Sequence, residues 1–203
     1  MGCIKRASLG CLGLTVALFA LWFGYLRYHA YLLTLRHTCP FEALVVDRSV
    51  FPPETQAGQL MEDPGPAINT ASDNLGRAFY LSHGIASHWV YQLVTAHDAA
   101  QVFAEQRRWQ FYLRPTGNPN LGPPVGPWET PVELSYRSPI ADQYYVACGP
   151  HAWIYMCKVI AQYEEYYVYL HAHMGGAMMY ADFERVMRAA DAKMAACLGK
   201  PLP

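Results

Sequence analysis

The stretch Ala7–Leu26, ASLGCLGLTVALFALWFGYL, holds no charge and no proline. At 1.5 Å per residue a helix over it reaches roughly 30 Å, the thickness of a bilayer's hydrocarbon core. So long an uncharged helix constrains everything after it to be read as a domain tethered to a membrane. Lys5 and Arg6 supply a basic lead, but the run exceeds the 7–15 or so residues of a cleaved signal. Tyr28-His29-Ala30 also puts tyrosine where a cleavage site needs a small residue. Cys11 precedes most of the apolar run instead of following it, unlike a lipoprotein cysteine, and Arg6 stands where a myristoylation motif needs Ser or Thr. The expectation is an uncleaved, single-pass signal anchor. It divides the chain into a short cytoplasmic tail (1–6), a transmembrane span (7–26), a membrane-proximal stem with a Pro/Gly-rich linker (27–76) and an extracytoplasmic domain (77–203).

Flanking charge barely orients the span, with Lys5 and Arg6 before it and Arg27 and Arg36 after it. The cysteines decide. Four of the six, Cys39, Cys148, Cys157 and Cys197, lie beyond the span, an even number compatible with two disulfides in an oxidising compartment. Closeness in sequence favours Cys148 with Cys157, although a hairpin centred on Gly149-Pro150 would offset them and require a bulge. Cys39 then pairs with Cys197, clipping the stem to the end of the chain.

From Cys39 onward, eleven Lys/Arg against sixteen Asp/Glu leave a charge of −5, with no basic footprint for nucleic acid. An abundance of tyrosine and aliphatic residues argues for a packed core. Strands are expected at Ala43–Val46 and Ser87–Val94, then as a meander at Val132–Ser138, Ala141–Cys148, Ala152–Ile160 and Glu165–Ala172, joined by short connections. Ala99–Phe111, capped by Asp98, has Val102, Phe103, Gln106 and Trp109 near one face of a helix. Tyr180–Leu198 repeats apolar residues at a helical period and ends at Gly199 and Pro201. The fold class is therefore α+β: a two-layer, mainly antiparallel sheet packed against helices that include the C-terminal one. A barrel plugged by that helix is the second choice.

Three constellations are candidates for function. Gly10, Gly13, Ala17, Ala20 and Gly24 line one side of the anchor, the pattern by which transmembrane helices pack closely, with a copy of themselves or with another membrane protein. His171 and His173 share a strand face beside Met174, a set whose thioether suits a soft ion such as Cu(I). Tyr167 and Tyr169 on that face, extended by Trp153 and Tyr155 of the neighbouring strand, offer an aromatic binding surface. The loop Arg114–Pro131, with six prolines and three glycines, is long enough to serve a function or cover that surface. No nucleophile-elbow, phosphate-loop, zinc-protease or dinucleotide motif occurs, which weighs against an enzyme, and no cofactor is specified. The expected function is a membrane-anchored binding or accessory subunit. The alternative is an extracytoplasmic metal-binding or small enzymatic module built on His171, His173 and nearby methionines.

Overall fold

The computed structural model describes residues 3–62, 68, 70–111, 127–151, 154–176 and 178–202; for 3–13 and 151 it describes the backbone alone. The expected loop 114–131 thus lies mostly outside the described residues, as does Trp153. The chain separates into two compact units, Met1–Arg36 and His37–Pro203.

The first unit is one helix, α1 (Cys3–Thr34). Leu14, Leu18, Phe19, Trp22, Phe23 and Leu26 are all exposed. At 100° per residue these large side chains cover one half of the helix, and the small residues Ala17, Ala20 and Gly24 lie on the other half. Among the described residues no helix is long and apolar enough to cross a membrane. The run Ala7–Leu26 starts seven residues before the first described side chain, and Gly10 and Gly13 of the small-residue stripe fall in that part. Ala17, Ala20 and Gly24 are exposed.

The second unit is α+β. β1 (Gln56–Met61), β2 (Asp73–Leu81) and β3 (Gly84–Gln92) form one meander, and β4 (Gln143–His151), β5 (Ile154–Tyr163) and β6 (Tyr166–His173) a second. The six strands lie in the order β1-β2-β3-β6-β5-β4, every neighbouring pair antiparallel, with β3 against β6 as the seam. Each meander is followed by a helix: α3 (Ala96–Gln110) after β3 and α4 (Tyr180–Leu198) after β6.

The sheet is covered on both faces, which corrects the two-layer expectation. Phe79, Val159, Leu170 and Ala172 share a core with Phe183, Val186, Met187 and Ala190 of α4. On the reverse face Tyr91, Ile160 and Tyr167 pack with Ala99, Val102 and Phe103 of α3. Alternation in β6 places tyrosines on a face that reads as wet, yet a phenol ring is a large apolar body that a helix can cover.

Helix ends follow side-chain chemistry. Thr95, not Asp98, is the N-cap of α3; its hydroxyl accepts from the Asp98 N–H while the Asp98 carboxylate accepts from the Thr95 N–H, a capping box. α4 has the expected bounds, and Gly199 ends it at φ 63°, the left-handed conformation suited to glycine.

Three segments differ from expectation. Ala43–Val46 is not a strand: Phe41–Leu44 is a short helix, α2, and Leu44, Val45 and Val46 are buried. With β1, it places residues read as linker inside the second unit. Val132–Ser138 forms no strand, although Leu134 is buried. Finally, β4 extends through His151, so Cys148 and Cys157 are directly opposite and need no bulge.

Candidate functional site

A cleft of about 160 Å³ opens between α3 and the reverse face of the sheet, lined by Ile68, Trp89, Tyr91, Gln106, Gln110, Tyr167 and Tyr169. Strand alternation explains the walls: Trp89 faces Tyr169 across the β3–β6 seam, and Tyr91 faces Tyr167, their rings 5.9 Å apart. On β2, Gly76 lies opposite Trp89. A Cβ at Gly76 would meet the indole at 2.1 Å, so only glycine lets that ring lie where it does. Gln106 and Gln110, one turn apart on α3, supply amides to the otherwise aromatic cleft.

The Tyr167 hydroxyl is buried and has no hydrogen-bond partner. Burial, reinforced by the neighbouring phenols of Tyr169 and Tyr91, raises its pKa well above the ordinary tyrosine value, so it remains an O–H donor. Burial likewise raises that of Tyr169.

A polar relay runs beside the aromatics. Lys158, buried on β5, donates from Nζ to the Gln110 carbonyl at 3.1 Å and to Gln110 Oε1 at 3.2 Å, while its ammonium lies 4.6 Å from the Trp128 ring centre. Gln110 Nε2 donates in turn to Gln106 Oε1 at 3.1 Å. A lysine ammonium can only donate, so it fixes which end of each amide faces which neighbour. Lys158 and Ser87 flank His171 in the sheet register. Trp89 Nε1 donates to Ser87 Oγ at 3.2 Å, and Ser87 Oγ lies 2.9 Å from His171 Nδ1.

Of the residues singled out from the sequence, Tyr167 and Tyr169 are walls of the cleft. Tyr155 is not: it shares its parity on β5 with Cys157 and Val159 and so belongs to the α4 side, where it lines a second pocket with Met174, Met178, Met179 and Tyr180. The same alternation splits the expected copper set. His171 and His173 lie on the α3 side, whereas Met174 packs against the α4-side core. Burial lowers the His173 pKa. Both expected disulfides are present, Cys148–Cys157 and Cys39–Cys197. Sequence reading missed Trp89, Lys158 and Gln110 as site residues, though Gln106 on the apolar stripe of α3 was a signal for the cleft.

Another cluster sits at the β5–β6 turn. His37, Glu164 and Glu165 bring one potential ligand atom each within 4.8 Å of one another. Their carboxylates already have partners: Lys200 Nζ is 3.0 Å from Glu164, and Glu165 accepts from the His37 backbone N–H at 2.6 Å and from Gln92 at 3.4 Å. Glu164 has a positive φ of 53°. The arrangement ties residue 37 to the turn.

No protein-family model matches the chain, and no curated protein matches it in sequence. In fold the chain is similar to the crystal structure of the extracellular domain of PknH from Mycobacterium tuberculosis, with a TM-score of 0.56 and 9% identity. The likeness covers 79% of this chain and 98% of that one.

Proposed function

We propose that this chain is a membrane-tethered, extracytoplasmic binding protein whose cleft between α3 and the sheet receives a small ligand. The observation that carries the binding role is the unpartnered, buried Tyr167 hydroxyl in the aromatic cleft. Buried polar groups are nearly always satisfied, and one left open at a cleft wall marks a place for a partner atom. The extracytoplasmic side is supported by the two disulfides and by the likeness to an extracellular domain. The tether is supported by the uncharged run Ala7–Leu26 and by the many large apolar side chains that α1 leaves exposed. The stripe Gly10, Gly13, Ala17, Ala20, Gly24 gives that tether a surface for a second membrane helix, either its own copy or another subunit.

The test is native mass spectrometry of the full-length chain extracted from its host's membranes. Wild type is expected to retain a small-molecule adduct that a cleft-filling Gln106→Trp variant, folded and disulfide-bonded, does not. Equal adducts on both proteins, or none on wild type, would reject the cleft as the binding site.

A further inference from the structure

We propose that the ligand is a planar one-ring molecule bearing a hydrogen-bond acceptor, a carboxylate or carboxamide oxygen, held in the α3 cleft with that oxygen at the Tyr167 hydroxyl. This rests on reading the cleft as the binding site, and it adds the ligand's size and polarity.

Size follows from the volume. The cleft's 160 Å³ is close to the roughly 150 Å³ of an apolar cavity that accommodates benzene. Trp89, Tyr91, Tyr167 and Tyr169 contribute ring surfaces, which favour a flat aromatic guest through offset or edge-to-face packing.

Polarity follows from the donors. Tyr167 keeps its proton because burial disfavours the phenolate, and its hydroxyl has no acceptor of its own. In the relay, Lys158 takes the oxygen of Gln110, and the Gln110 amide nitrogen takes the oxygen of Gln106. The amide oxygens are thereby turned toward the lysine. Among the described residues no carboxylate lines the cleft. A guest offering only N–H donors would leave Tyr167 its hydroxyl lone pairs alone as acceptor and would sit in the field of a buried ammonium.

Removing the hydroxyl separates binding from folding. Deleting an unpaired buried polar group relieves a desolvation cost, so Tyr167→Phe is expected to be at least as stable as wild type. It is also expected to bind an acceptor-bearing ring more weakly. A variant whose only defect was structural would lose both.

The experiment uses the full-length chain in lipid nanodiscs and ligand-observed NMR with three probes of one size: benzamide, benzoate and benzylammonium. Benzamide and benzoate are expected to bind wild type at least ten-fold tighter than benzylammonium. Tyr167→Phe is expected to weaken benzamide about five-fold or more and to leave benzylammonium unchanged. Benzylammonium binding as well as benzamide, or a Tyr167→Phe protein that binds benzamide like wild type, overturns the assignment. If none of the three binds while the native adduct is found on wild type, the ligand class is wrong and the cleft reading stands. If the adduct is absent, the cleft reading itself fails.

Discussion

His88 is 1% exposed on β3, where its Nδ1 accepts from the Val46 N–H at 3.2 Å and its Nε2 is buried without a partner. Burial, with a smaller contribution from the charge of Lys193, lowers its pKa from 6.5 to about 3. Below pH 6.5 the unfolded chain takes up a proton that the folded one refuses. The stability owed to neutral His88 is therefore complete above pH 6.5 and lost as pH falls toward 3, at up to about 1.4 kcal/mol per unit. Urea midpoints at pH 7 and pH 5 are expected to differ more in wild type than in His88→Gln; equal slopes would refute this account. Asp191 is the counterpart on α4. It is 1% exposed and accepts from the hydroxyls of Tyr136 and Tyr163. Asp191→Ala strands two donors at once, at about 1–3 kcal/mol for each one left buried, so a loss of about 3 kcal/mol is expected in the same assay. Neither group was legible in advance. A sequence shows that Asp191 lies on a helix, but not that two tyrosines from distant segments converge on it.

Elements whose own residues specify them were read correctly. α4 carries its apolar period, its Glu184–Arg188 pair and its terminal glycine within one continuous segment. Val132–Ser138 failed for the opposite reason. Its alternation is met by Leu134 and Tyr136 docking near α4 from a loop, while Val132 is 91% exposed, so the period of two arises without a ladder. The cleft wall on β2 and β3 is an element-level device: Gly76→Ala must displace the Trp89 indole. Such a change is expected to cost about 1–3 kcal/mol as overpacking and to abolish ligand retention, read by thermal unfolding and by the adduct mass. A Gly76→Ala protein that keeps both would show that the ring has room to move. The disulfides differ in what they contribute. Cys39–Cys197 closes 158 residues and Cys148–Cys157 only 9. In the chain-entropy model these correspond to about 5 and about 2.5 kcal/mol. Paired Cys→Ser substitutions are expected to rank in that order by urea midpoint; the reverse order would point to strain or residual structure instead.

For the whole molecule, the α+β class and both cysteine pairings were accessible because they depend on composition, periodicity and parity. The second helical layer was not, because nothing local says which face of a tyrosine-rich strand a distant helix will choose. The cleft is hidden for the same reason: its walls come from β3, β6 and α3, which only the folded topology brings together. The covalent link between Cys39 and Cys197 has a mechanical consequence. A pull applied to α1 enters the second unit at His37, two residues before a bond that leads straight to the last turn of α4. Tension between the two ends of the chain bypasses the sheet, and no strand can be peeled from it while the bond is oxidised. Reduction would release the 158-residue span, roughly 500 Å of slack at 3.3–3.6 Å per residue. The thiol state therefore decides whether tension between the two ends of the chain reaches the sheet.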